Sequence, residues 1–113
     1  MPLPVSWSQI PVTGTFVGFD GNPLSGFITF TSDQVVSIGG VVAIPHMFVE
    51  ELDVNGSLPA GFTLPSTNDP DLDSTGWSYT VSEYFISGRG NYRILVPYDS
   101  LGIDLATVTR LPL

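Results

Sequence analysis

Apolar and polar residues alternate in short runs along most of the chain, which is typical of β-strands with one buried face and one solvent face. The clearest run covers residues 77–86, where Trp77, Tyr79 and Val81 share one face and serine and threonine occupy most of the other. Further strands are predicted at 12–18, 26–31, 34–38, 41–44, 47–52, 57–64 and 91–96. The 10 prolines and 12 glycines leave no stretch for a long amphipathic helix, and only residues 99–105 favour a single helical turn.

Turn signals separate the predicted strands at regular intervals. Gly39-Gly40 predicts a tight hairpin, and residues 87–90 predict a second one. The sequence therefore predicts an all-β fold, a single antiparallel β-sandwich of six to eight short strands with extended terminal arms. We expect residues 1–11 to form an N-terminal arm, 12–106 the sandwich, and 107–113 an extended C-terminal tail.

Charged residues are scarce and mostly acidic. They make up 12% of the 113 residues, against about 25% in a typical soluble domain, and the net charge is −8. Three arginines and no lysine cannot neutralise a run of phosphates, so nucleic acid and anionic membranes are not expected partners. No apolar run reaches the roughly 18–20 residues of a membrane span. The start of the chain lacks the pattern of a signal peptide, so we expect synthesis in the cytoplasm.

Few residue patterns favour catalysis. The absence of cysteine excludes thiol catalysis and disulfides. His46 is the only histidine, and the chain has no Gly-x-Ser-x-Gly motif beside which it could serve a nucleophilic serine. Glu83 falls on the apolar face of its strand, where an ion pair with Arg93 across the hairpin is the favoured interpretation. We therefore expect no enzymatic activity, no catalytic residues and no cofactor.

Two patterns are candidate ligand sites. Asp69, Asp71 and Asp73 alternate in a polar loop and could supply oxygen ligands to calcium, but Ser74 and Thr80 occupy the positions that need glycine and glutamate in an EF-hand. A solvated acidic turn is the favoured interpretation. Tyr84 is predicted on the solvent face of its strand, where it could stack on a sugar of a cell-surface glycan.

The shortage of charged residues predicts that part of the protein surface is buried against other subunits. A small domain has much surface for its volume, and exposed apolar segments usually contact other subunits. The candidate interface residues are apolar and lie in the two terminal segments or in the run that begins at Val41. They are Pro2, Leu3, Pro4, Val5, Trp7, Val41, Val42, Ile44, Leu111 and Leu113.

Two stretches resemble known families. Residues 12–31, with an Asp-Gly-x-Pro-Leu turn at 20–24, resemble the opening hairpin of transthyretin-like and carboxypeptidase-regulatory-like sandwich domains. Residues 58–83 are similar to a segment of minor tail proteins of tailed phages that infect actinobacteria, and residues 96–100 and 102–106 continue the similarity. Together the two resemblances cover roughly residues 12–108.

The resemblance implies a non-enzymatic structural subunit of a tailed-phage virion, at the tail tip or on a fibre. Its implied partners are other virion proteins and further copies of itself, in a homo-oligomer that follows the symmetry of the particle. The alternatives are a decoration protein of the phage head and a carbohydrate- or calcium-binding adhesion module.

Overall fold

The computed structural model describes residues 7–73, 76–85 and 88–113, with only the backbone of residues 88 and 89. The described residues contain no helix, and the all-β prediction is confirmed. They form nine strands: β1 (Gln9–Thr13), β2 (Gly26–Ser32), β3 (Val36–Ile38), β4 (Val41–Ala43), β5 (Met47–Glu51), β6 (Thr63–Pro65), β7 (Tyr79–Phe85), β8 (Gly88–Ile94) and β9 (Ile103–Asp104).

The strands form three sheets. A three-stranded sheet has the order β6-β1-β9, a four-stranded sheet has the order β5-β2-β7-β8, and β3 and β4 form a separate hairpin. All pairings are antiparallel except β1 with β9, which run parallel with Val12 opposite Ile103. The described residues form nine strands where six to eight were predicted, and the very short β9 adds one parallel pair to the otherwise antiparallel sheets.

The two larger sheets share one hydrophobic core, as in a β-sandwich. Ile10 and Val12 of β1 belong to the same buried cluster as Phe30 of β2, Val81 of β7 and Ile94 of β8. These side chains come from alternate positions of their strands, because successive residues of a strand point to opposite faces. Each large apolar side chain buried in this way contributes about 1.5–3 kcal/mol. The predicted alternation along 77–86 is thus realised in β7.

The hairpin of β3 and β4 forms where the sequence predicted it. Gly39 and Gly40 both have positive φ, at 54° and 81°, which is the backbone conformation of a two-residue hairpin turn that glycine adopts without strain. The hairpin is joined to the acidic loop through a bridge between Ile38 and Leu72. Val36 of β3 and Ala43 of β4 line a cavity together with Trp77 and Tyr79.

Several predicted boundaries differ from the structure. The first strand begins at Gln9 rather than Val12, so residues 9–11 belong to the sheet and not to an arm. Residues 14–18 form only isolated bridges, from Thr15 and Val17. The helical turn predicted at 99–105 is wrong, because Ile103–Asp104 pair with β1 as a strand. The turn predicted at 87–90 is also displaced, because residues 88–90 already pair with β7.

Candidate functional site

Strand β5 is an open edge of the four-stranded sheet. It pairs with β2 on one side, with Val49 opposite Thr29, and no strand of the described residues pairs with its other side. An edge strand presents unpaired N–H and C=O groups that can hydrogen-bond a further strand, and natural proteins often protect such edges with lysine or proline. β5 contains neither, and its only charges are Glu50 and Glu51 at one end.

The chain that leads into this edge carries no charge. Residues 34–49 include no Asp, Glu, Lys or Arg. Large apolar side chains are nevertheless exposed along this stretch, including Met47 at 55% and Val49 at 54%. The full set is Val35, Val41, Val42, Ile44, Met47 and Val49. We call these six residues the apolar edge, and they form the largest concentration of exposed hydrophobic residues along the described sequence.

The neighbouring surface of the sheet is aromatic and weakly polar. Phe27 of β2 stands opposite Glu51 of β5 and Tyr84 of β7, and the rings of Phe27 and Tyr84 stack with centroids 4.8 Å apart. The prediction that Tyr84 lies on the outer face agrees with this register. Phe27 covers one face of the Tyr84 ring, which leaves at most the other face for a sugar.

The opposite edge of the sheet is closed at Arg93 by the C-terminal tail. The backbone of Arg93 in β8 exchanges two hydrogen bonds of 2.9 Å with Leu111, and its side chain donates to the carbonyl oxygen of Pro112. Arg110 lies over the ring of Tyr92, 4.2 Å from its centroid, and forms an ion pair of 3.6 Å with Glu83. The tail is therefore held against β8 around Leu111, whereas Leu113 beyond it is 71% exposed.

Glu83 is the buried centre of this contact. Its Oε2 accepts a hydrogen bond of 2.8 Å from the hydroxyl of Tyr92. Burial, together with the hydrogen bond to Glu83 and its charge, raises the pKa of Tyr92 well above its ordinary value, so the phenol keeps its proton. The predicted ion pair between Glu83 and Arg93 is wrong: Glu83 stands opposite Gly90, and its cationic partner is Arg110.

The predicted interface residues fall into four groups. Val41, Val42 and Ile44 are exposed and belong to the apolar edge. Leu113 is 71% exposed, whereas Leu111 is half-buried against β8. Trp7 is a correction: it is buried in the core, where its indole N–H donates to the carbonyl oxygen of Ser66. The other four, Pro2, Leu3, Pro4 and Val5, lie outside the described residues.

Sequence reasoning missed Met47, Val49 and Phe27 as surface residues. Strand order cannot be read from a single sequence, so nothing marked β5 as an edge. The signal that was present is the charge-free stretch from 34 to 49, which ends at Glu50. This stretch is longer than any strand of the structure, so it cannot be a single buried strand. A charge-free stretch of this length indicates that some of its apolar side chains are exposed.

The acidic loop does not gather its carboxylates. Asp69 is buried and accepts hydrogen bonds from the backbone N–H groups of Ser8 and Asp71, while Asp73 accepts one from the hydroxyl of Ser37. No group of three or more His, Cys, Asp or Glu residues within 7–73, 76–85 and 88–113 is placed to hold a metal ion. The carboxylates of Asp69 and Asp73 instead accept hydrogen bonds from Ser8, Asp71 and Ser37.

Asp69 fixes the position of Ser8, whose backbone N–H donates a hydrogen bond to its carboxylate. Burial opposes its ionisation, but the hydrogen bonds from Ser8 and Asp71 outweigh this effect and lower the pKa of Asp69 below its ordinary value. The carboxylate is therefore charged at neutral pH and fixes Ser8 beside Trp7.

His46 lies next to an aromatic cavity. Its ring packs edge-on against Phe48, with centroids 4.7 Å apart, and both line a cavity of about 520 Å³ together with Trp7, Trp77 and Tyr79. The hydroxyl of Tyr79 donates to the carbonyl oxygen of Pro65 at 2.7 Å. This arrangement places the single histidine among rings, with no carboxylate among the described residues that line the cavity.

Comparisons with protein-family models, curated proteins and solved structures find no match for this chain. Within the part of the chain that the structure describes, no helix has the length and apolar character needed to traverse a bilayer.

Proposed function

We propose that this chain is a non-enzymatic structural subunit of a tailed-phage virion, which joins its neighbours through the apolar edge and strand β5. The observation that carries the proposal is an open edge strand, charged only at Glu50 and Glu51, which follows a charge-free stretch with several exposed apolar side chains. Such a combination is unfavourable for a free monomer, because it exposes both apolar area and unpaired backbone groups to other chains.

Two forces would hold this contact. Burial of apolar surface contributes about 25 cal/mol per Å², and Met47 and Val49 would be among the side chains buried. A strand added beside β5 would satisfy its outward N–H and C=O groups, which is a common mode of recognition between proteins. Glu50 and Glu51 would then set the register, since a partner needs a neutral or basic residue opposite them.

The virion setting rests on the sequence resemblance of residues 58–83 and 96–106 to minor tail proteins. Within that setting a minor tail protein, at the tail tip or on a fibre, is the preferred assignment, and a decoration protein of the head is the alternative. Copies arranged around the symmetry axis of the particle would place the apolar edge of each against a neighbour.

Immunogold labelling of purified phage particles tests this proposal. An antibody against the folded chain is expected to label intact or partly disrupted particles at the tail. Labelling of the head would select the decoration alternative, whereas the absence of the chain from purified particles, verified by mass spectrometry, would contradict the virion proposal altogether.

A further inference from the structure

Phe19 is the most exposed large apolar side chain of the described residues, with a relative exposure of 115%. It lies at the tip of residues 18–22, which we call the Phe19 turn. The backbone N–H of Gly18 donates to the carbonyl oxygen of Asn22 at 2.9 Å, and the carboxylate of Asp20 accepts from the backbone N–H of Asn22 at 3.0 Å. A hydrogen-bonded turn thus holds a phenyl ring in solvent, where burial against another molecule would be favourable.

The aromatic cavity has the complementary shape. Its volume of about 520 Å³ falls within the range of about 300–1,000 Å³ that accommodates drug-sized molecules, so a phenyl ring fits within it. Two of the residues that line it, Ile44 and His46, are exposed, whereas Trp7 and Tyr79 are buried. The cavity therefore opens to the surface and extends inwards to aromatic side chains, against which a ring can pack edge-to-face or offset.

The Phe19 turn and the cavity lie at opposite ends of strand β2. Gly26, the first residue of β2, pairs with Phe85, whose ring contacts that of Phe16 just before the turn, with centroids 5.4 Å apart. Ser32, the last residue of β2, lines the cavity. The seven residues of the strand separate its two ends by about 20 Å. Phe19 therefore does not occupy the cavity of its own chain, and both features are available to other copies.

The charges near the two features do not oppose a contact between them. Asp20 of the turn is ionised at neutral pH, because hydrogen bonds from Asn22 lower its pKa. The described residues that line the cavity include no Asp or Glu, but they include His46, whose imidazole N–H can donate to a carboxylate. Asp33, one residue beyond the lining residue of β2, already accepts hydrogen bonds from the backbone and the hydroxyl of Ser78.

We propose that Phe19 of one copy of this chain inserts into the aromatic cavity of a second copy and joins the two chains head to tail. The contact uses different surfaces of the two copies, so a free turn and a free cavity remain for further copies. Contacts of this kind close into rings or continue as filaments, depending on the rotation between copies. The inference goes beyond the proposed function, because it requires neither strand β5 nor a virion.

Titration of one copy with another tests this contact. The two tryptophans of the chain both line the cavity, so their indole N–H resonances report its occupation. The ¹⁵N-labelled full chain with Phe19→Ala keeps the cavity but lacks the inserting ring. It is titrated with the unlabelled unaltered chain, which supplies Phe19, and separately with unlabelled Phe19→Ala, which does not. Unlabelled Leu101→Ala is the matched control, because Leu101 is 98% exposed and lies in a different loop.

The unaltered chain and Leu101→Ala are expected to shift the indole resonances saturably, with a Kd on the order of 0.1–1 mM, because a single inserted side chain provides little affinity. Phe19→Ala is expected to bind at least about tenfold more weakly, as the loss of a buried phenyl ring implies. Absence of a saturable shift with the unaltered chain would overturn the proposal. Equal binding of Phe19→Ala and the unaltered chain would overturn it as well.

Further substitutions in the labelled chain locate the contact. Ala43 lines the cavity and Val42, its neighbour, does not. Ala43→Phe is expected to fill the cavity and weaken binding of the unaltered chain at least about tenfold, whereas Val42→Phe leaves it unchanged. Unchanged binding by a folded Ala43→Phe chain would refute the site, and if this variant fails to fold, the comparison of titrants decides. Val49→Lys is also expected to leave binding unchanged, so a failure of the β5 contact is a separate result.

Discussion

The two edges of the four-stranded sheet differ in whether another segment of the chain pairs with them. At β8, the C-terminal tail pairs with Arg93, and the side chains of Arg93 and Arg110 hold it in place. At β5, no described strand or tail covers the edge, and the adjoining stretch from 34 to 49 carries no charge at all. One edge is closed at Arg93 by the chain's own tail, and the other is open among the described residues, where we propose that a different polypeptide binds.

The few charged residues of the chain include several that form contacts within the molecule. Asp69 fixes Ser8 near the beginning of the described chain, and Glu83 and Arg110 fix its end against Tyr92. These groups act inside the molecule and contribute little to the solubility of the β5 side. We infer that the exposed apolar side chains of the apolar edge are uncompensated because they are buried after assembly.

The largest loss of stability is expected from Asp69→Ala. The substitution removes a buried, charged acceptor from the N–H groups of Ser8 and Asp71, which lie 2.9 and 3.0 Å from it. We expect the free energy of unfolding to fall by about 3 kcal/mol, as measured by urea denaturation. Asp71→Ala is the control, since Asp71 is exposed, and it is expected to change stability by less than about 0.5 kcal/mol. Equal effects of the two substitutions would refute the role given to Asp69.

A somewhat smaller loss is expected from Arg110→Ala, which weakens the closed edge. Glu83 would lose its cationic partner and Tyr92 its cation–π contact. Because Arg110 is half exposed, we expect a loss of about 1–2 kcal/mol rather than the larger cost of breaking a fully buried pair. Amide exchange at Leu111 should accelerate in this variant. Thr109→Ala, at an exposed neighbouring position, is the control, and unchanged exchange at Leu111 would contradict the closed edge.

The pH dependence of the free energy of unfolding tests whether Asp69 is preferentially ionised in the folded state. Its pKa is lowered on folding, so its contribution is present above the pKa of the unfolded chain and is lost as the pH falls through the folded value. The free energy of unfolding of the unaltered chain should therefore drop more steeply between about pH 5 and pH 2 than that of Asp69→Asn. Parallel curves for the two chains would show that Asp69 is not preferentially ionised in the folded state.

The smallest effect on stability, with a large effect on assembly, is expected from Val49→Lys at the open edge. The side chain is exposed, so the free energy of unfolding should change by less than about 0.5 kcal/mol. Incorporation into particles should fall at least about tenfold, because a buried unpaired lysine opposes the contact. Val54→Lys, at a 90% exposed position in the turn after β5, is the matched control. Competition between tagged chains during phage growth, quantified by mass spectrometry, measures the difference.

Local features were predictable from the sequence, and long-range pairings were not. The strand at 77–86 follows from its alternation, and the hairpin at Gly39-Gly40 follows from turn chemistry. The parallel pair of Val12 with Ile103 joins positions far apart in sequence, and no local pattern encodes that register. The flanking prolines made Trp7 look like part of an arm, but the carbonyl oxygen of Ser66 and the ring of Trp77 draw it into the core.

The candidate surface was predictable only in part. Val41, Val42 and Ile44 stood out because both faces of their segment are apolar. Met47 and Val49 did not, because their importance depends on β5 being at the edge of a sheet, and strand order is set by the whole chain. The partner of Glu83 was missed for the same reason, since Arg110 reaches it from the tail rather than from the paired strand.

Hydrogen–deuterium exchange of Met47–Glu51, compared between the free chain and the assembled particle, shows whether another polypeptide covers β5. If another polypeptide covers β5, exchange of this segment should slow by about tenfold or more in the particle, while the exposed turn at 53–55 stays unchanged. Equal exchange of Met47–Glu51 in the free chain and in the particle would contradict the assignment of β5 as the contact edge.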